Sequence, residues 1–106
     1  MKLPKSIRVV NRVFEVREME GDFVRCCSAD GLCDHNDDVI HVNTNQSRSQ
    51  VIETLLHEVG HAINAVVGIN DDSTEEEFVR RSTPIWMAVW RENPELFRLF
   101  SNWRKS

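Results

Sequence analysis

The stretch Leu55-Leu56-His57-Glu58-Val59-Gly60-His61-Ala62-Ile63 constrains this chain more than any other segment. It sets two histidines four residues apart in a run of helix-forming residues. On an α-helix, residues i and i+4 lie one above the other on the same face. His57 and His61 can therefore aim both imidazoles at one metal ion, each offering a neutral nitrogen at about 2.0–2.1 Å. Glu58 falls beside such an ion rather than on it, where a carboxylate can take a proton from an attacking water. Aliphatic residues occupy the opposite side of the same helix. The plainer reading is a pair of surface histidines, but the pattern in this setting points to a zinc site suited to hydrolysis.

Composition fits that reading and excludes others. A chain of 106 residues is near the common size of one domain, so residues 1–106 are read as a single unit. With 41% hydrophobic and 28% charged residues, it belongs among globular rather than disordered chains. The net charge of −4, with no basic stripe beyond Arg104-Lys105, argues against a nucleic-acid surface. No apolar run reaches the 18 or more residues of a membrane span. Met1 to Ser6 lack the apolar core of a secretion signal, so a cytoplasmic location and reduced cysteines are expected.

The first 43 residues read as strands of a small curved sheet. Ile7 to Val16 is rich in branched and aromatic residues and reads as one strand, with a turn at Glu20-Gly21-Asp22. Phe23 to Cys27 would return as a hairpin, Ser28 to Asp38 would form a loop, and Val39 to Asn43 alternates as a further strand. The second half is helical. Ser47-x-x-Gln50 is a capping box, and Val51, Ile52, Leu55, Val59, Ile63 and Val66 recur at helical steps as a buried face. Gly68 suits the left-handed residue that ends a helix. After Asn70-Asp71-Asp72, Ser73 or Thr74 can cap a second helix from Glu75, with Pro84 kinking it or ending its first part. Asn93-Pro94 restarts a short helix, which Leu96, Phe97, Phe100 and Trp103 would dock on the body.

A catalytic zinc needs three protein ligands, so the two histidines require a third from elsewhere. Glu75-Glu76-Glu77 opens the second helix, and a helix–loop–helix would bring it back over the first. Glu76 is in phase with Val79, Thr83, Trp86 and Trp90, read as an inward stripe, and is the favoured ligand. Glu75, in phase with Phe78, Val79, Ser82 and Ile85, is the alternative, while Glu77 aligns with Arg80 and Arg81. All three could simply complement the helix dipole.

At these residues the chain resembles the minimal gluzincins encoded by phages and prophages, which are loosely akin to ImmA/IrrE-type metallopeptidases. The resemblance is carried by Leu55 to Ile63, by Glu76-Glu77-x-Val79 and by Asn93-Pro94-Glu95-Leu96, with Gly31-x-x-Asp34 and the Val39–Val42 strand upstream. It spans roughly residues 7 to 100, and its specific part is the His-Glu-x-x-His segment. It implies an α+β zincin-like fold and metallopeptidase chemistry. One departure stands out. Such proteins often place a small residue and then Asp or Asn three and four positions after the ligand glutamate, where this chain has Val79 and Arg80.

The favoured function is therefore zinc-dependent peptide hydrolysis, with zinc on His57, His61 and Glu76, Glu58 as general base, and a protein or peptide as substrate. If the Val39–Val42 strand is the edge beside the cleft, it would pair with an extended peptide. The chain has no Tyr to polarise a carbonyl, which leaves His35, His41 and arginines as candidates. Asn64, one turn past His61, could orient a ligand or water. Cys26, Cys27, Cys33 and His35 lack the paired spacing of a structural zinc site, and the three cysteines read as reduced thiols, one of which could reach the zinc and block it. Trp86, Trp90 and Trp103, with Phe78, Phe97 and Phe100, read as core. The alternative is a non-catalytic, zinc-stabilised module that binds a host or phage protein. About 45 residues follow the motif, few for a second lobe, and Tyr is absent, which favours this alternative; the intact Glu58 favours the enzyme.

Overall fold

A computed structural model describes residues 2–19, 31–34, 36–68 and 75–102, apart from the side chains of residues 75, 76 and 102. Ile7 to Val16, expected as one strand, is a hairpin. β1 (Ser6–Val9) and β2 (Arg12–Met19) pair antiparallel, with Ile7 opposite Phe14 and Val9 opposite Arg12. The turn between them is Val10-Asn11, and Val10 takes φ 59°, a conformation that branched residues rarely adopt. Two-residue hairpin turns of this kind normally carry glycine or asparagine at the strained position, so nothing in the sequence marked a turn there. The expected strand Phe23 to Cys27 and the turn at Glu20-Gly21-Asp22 lie outside the described residues.

The segment expected as a loop contains β3 (Gly31–Asp34), which pairs antiparallel with β4 (Val39–Asn43). Asp34 Oδ1 accepts the backbone N–H groups of Asn36 (3.1 Å) and Asp37 (3.2 Å), which folds the connection back. β4 also pairs with β2, in parallel, so the described sheet has the order β1-β2-β4-β3. This corrects the expectation for β4. It is an interior strand, and β3 and β1 hold the two edges among the described strands.

α1 (Arg48–Val67) covers one face of the sheet. It opens and closes as its sequence predicts: Ser47 Oγ accepts the Gln50 N–H at 3.3 Å, and Gly68 at φ 74° donates its N–H to the Asn64 carbonyl at 3.0 Å. Val51, Leu55, Val59, Ala62 and Ile63 of α1 share one buried core with Ile7, Phe14, Ile40 and Val42 of the sheet. Full burial of each such aliphatic or aromatic side chain is worth roughly 1.5–3 kcal/mol. The fold is thus a small α+β unit, with a four-stranded mixed sheet and three helices among the described residues.

α2 (Glu75–Glu92) continues through Pro84, and Asn93 separates it from α3 (Pro94–Asn102). The inward stripe of α2 differs from the expected one. Ser82 and Val89 are buried, Ile85, Trp86 and Trp90 are half-buried, and Val79 and Thr83 are exposed. Glu75 shares the seven-residue register of Ser82 and Val89, so an inward stripe no longer separates Glu76 from Glu75. α3 docks through Leu96, whereas Phe97 (53% exposed) and Phe100 (43%) lean on the Trp90 ring and otherwise face out. Phe78, also expected in the core, is 40% exposed. Trp103 lies outside the described residues.

The joint between α2 and α3 is tied to the sheet by one side chain. Asn93 Oδ1 accepts the Arg8 N–H (2.8 Å), and Asn93 Nδ2 donates to the carbonyls of Arg8 (2.9 Å) and Val89 (2.8 Å). The amide thereby pairs with the outer edge of β1 much as another strand would, with both donors and one of its two acceptor positions used. Asn93→Asp keeps the acceptor, loses both donors and buries a charge. It is expected to lower unfolding stability at neutral pH by at least about 2 kcal/mol, read by denaturant titration. A change below about 0.5 kcal/mol would show that the joint is held by Leu96 packing alone.

Candidate metal centre

The outer face of α1 carries the two histidines. Both are exposed, their rings meet edge-on at 77° with centroids 4.8 Å apart, and the two Nε2 atoms are separated by 3.1 Å. Two nitrogens bound to one tetrahedral ion at 2.0–2.1 Å stand about 3.3–3.4 Å apart. The observed Nε2 separation is within about 0.3 Å of that spacing, and the one-turn spacing that sequence predicts is realised in the side chains. Among the described residues, no third His, Cys, Asp or Glu joins this pair in a group able to hold a metal. The side chains of Glu75 and Glu76 lie outside that statement.

Glu58 is buried at 6% exposure although it follows an exposed histidine, because the next residue on a helix turns by about 100° toward the sheet. Its carboxylate accepts a backbone N–H hydrogen bond from Cys33 in β3. Burial pushes its pKa above the ordinary carboxylate value, while His61, His57 and the Cys33 N–H pull the other way without cancelling the effect. A base displaced toward neutrality is better matched to proton transfer near pH 7.

The sheet reaches Glu58 only because residue 31 is glycine. A Cβ on Gly31 would stand 2.7 Å from Thr54 Cγ2, 3.0 Å from Glu58 Cγ and 3.0 Å from the His41 carbonyl oxygen. Those distances are closer than packed atoms tolerate, and two of the neighbours belong to α1 while the third is backbone. Gly31, the buried Thr54 and the Cys33 N–H were all missed as parts of the site. The only trace in sequence was a glycine opening the Gly31-x-x-Asp34 run.

The remaining candidates separate cleanly. His41 pairs in register with Arg17 and Leu32, whereas the helix-facing positions are Ile40, Val42, Cys33 and Gly31. Successive strand residues point to opposite faces, so the His41 side chain lies on the far side of the sheet from the His57–His61 pair. It does not serve as the carbonyl-polarising group. Asn64 Oδ1 is buried, with no hydrogen-bond partner among the described residues. Cys33 is half-buried, and its pKa is pushed up to about 11, chiefly by burial and then by the negative charge of Glu58, so near pH 7 it is a neutral thiol. His35, Cys26 and Cys27 lie outside the described residues.

Comparison of the chain with known protein families, with characterised proteins and with solved structures finds no match in any of the three. No described helix is long and apolar enough to cross a membrane.

The raised pKa of Glu58 has a sign that can be measured in metal-stripped protein. The folded state prefers the proton, so the ionised carboxylate destabilises the fold above the ordinary carboxylate pKa and not below it. Glu58→Gln is therefore expected to raise the Tm of the metal-stripped chain at pH 7. The gain should fall away as the pH drops through about 4.3. A Tm gain that is independent of pH would assign the effect to packing.

Proposed function

We propose that this chain is a zinc-dependent peptidase with a zincin-like domain of the gluzincin kind. The observation that carries the reading is the juxtaposition of two Nε2 atoms 3.1 Å apart with a buried glutamate directly after the first histidine of the pair. His57 and His61 would hold the ion together with a glutamate from the opening turn of α2, Glu76 or Glu75. Zinc, when bound, polarises a carbonyl and lowers the pKa of water to about 7.

The chain's own groups do the rest. Glu58 takes the proton from the attacking water and returns it to the leaving amine, which its raised pKa suits. The Cys33 N–H favours the ionised form of that carboxylate. The edge position of β3 among the described strands, rather than of β4, makes β3 the strand that would align an extended peptide beside the histidines. In the cytosol expected for this chain, Cys33 remains a thiol.

A second reading, a zinc-stabilised protein-binding module, is favoured by one observation. Phe78, Met87, Phe97 and Phe100 leave between 40% and 63% of their surface exposed on α2 and α3.

Elemental analysis and cleavage of denatured protein, read as new amino termini, test both readings on one set of variants. Wild type is expected to hold about one zinc per chain, and His57→Ala, His61→Ala together to lose it. Among Glu75→Gln, Glu76→Gln and Glu77→Gln, the variant of the ligand should lose zinc affinity at least about tenfold more than the other two. Glu58→Gln should keep the zinc and lose about 10²–10⁴-fold in cleavage. Equal behaviour of wild type and Glu58→Gln in every functional assay would remove the peptidase reading and leave the binding module.

A further inference from the structure

On the other side of α1 from the histidines, Lys2, Lys5, Arg48 and Arg98 line one open groove of about 690 Å³, with Glu95 the one carboxylate among its described lining residues. The four cations come from three separate parts of the chain: the segment leading into β1, the first residue of α1, and α3. The described lining residues sum to +3, while the rest of a chain of net charge −4 carries −7. No described carboxylate forms an ion pair with any of the four. Folding has thus gathered like charges from distant segments onto one concave surface, which favours an anion there.

The geometry narrows the ligand. Arg48 stands at the N-terminus of a 20-residue helix, where the backbone dipole adds positive potential. Its guanidinium and that of Arg98 present forked donors that match two oxygens of a phosphate, and the Ser6 hydroxyl adds another donor. Leu3 and Leu99 supply an apolar wall. The volume lies within the roughly 300–1,000 Å³ of small-molecule sites, more than a lone inorganic ion fills.

Arg48 and His57 are nine residues apart on one helix, which places them on opposite faces and about 14 Å apart along the axis. The groove is therefore separate from the metal centre. We propose that it is a binding site for a small diphosphate-bearing anion, whose charge of about −3 the groove's +3 balances.

Isothermal titration of the full chain with inorganic pyrophosphate and, separately, with a nucleoside diphosphate tests this. Saturable binding of one anion per chain is expected, with a Kd below about 1 mM that weakens as salt is raised. Equal affinities would assign the site to the diphosphate itself, and tighter binding of the nucleoside form would assign it to an ester whose organic part rests on Leu3 and Leu99. Arg48→Gln with Arg98→Gln, both exposed positions, should weaken binding at least tenfold while leaving zinc content and Tm unchanged. The His57→Ala, His61→Ala variant should bind as wild type does, which separates this site from any chelation at the metal centre. The proposal is overturned by no saturable binding, by binding insensitive to Arg48 and Arg98, or by loss of binding in the histidine variant.

Discussion

The contact on which the site depends is the approach of β3 to α1 at Gly31. Thr54, Glu58 and the His41 carbonyl crowd the space where any other residue would carry a Cβ. That closeness brings the Cys33 N–H onto the Glu58 carboxylate, and removal from water then raises the carboxylate's pKa. Were β3 an ångström or two farther out, Glu58 would be hydrated and free to rotate. The histidines would still pair, but the group beside them would be an ordinary surface acid. The order β1-β2-β4-β3 matters for the same reason, because it sets the strand nearest Glu58 at the edge and leaves its other side open among the described strands.

α1 works as the axis between two unlike surfaces. Its buried stripe of Val51, Leu55, Val59 and Ala62 is fixed by the sheet, which in turn fixes the outward direction of His57 and His61. The α2–α3 joint is anchored to the far edge of the sheet through Asn93 and the backbone of Arg8. Packing of that stripe against the sheet sets the rotation of the helix, and a roll of one residue's angle, about 100°, would exchange Glu58 with His57.

What was legible in the sequence was what local chemistry decides. The Ser47 cap, the Gly68 terminus, the aliphatic stripe of α1 and the histidine pair all depend on residues within a few positions of each other, and each is found as expected. What failed depended on pairing at a distance or on an unmarked turn. Val10-Asn11 has no glycine, so two strands read as one. Gly31 to Asp34 is too short to alternate recognisably, and only its partner β4 makes it a strand. His41 looked available because its sequence position is near the site, yet strand register turns it to the other face. The stripe chosen on α2 followed the tryptophans, which are half-buried, whereas small Ser82 and Val89 make the inner line. Large aromatic residues weigh heavily in a periodicity count, but on a small domain they can lean on one another, as Trp90, Phe97 and Phe100 do.

The placement of Glu58 bears on the choice between enzyme and binding module. A zinc ion that serves only to hold a fold needs its ligands and gains nothing from a neighbouring carboxylate withdrawn from water. Such a carboxylate is a liability, because the fold prefers it protonated and at neutral pH it is asked to ionise. A glutamine at this position would keep an oxygen for the Cys33 N–H without a charge to bury, and a leucine would add to the core. Residues that break a local rule of stability tend to sit where function needs them. The exposed aromatic residues of α2 and α3 carry less weight in the opposite direction, since their exposed surface is equally compatible with an enzyme that docks on a protein substrate. The peptidase reading accounts for Glu58 and tolerates the aromatic surface, whereas the module reading accounts for that surface and leaves Glu58 without a purpose.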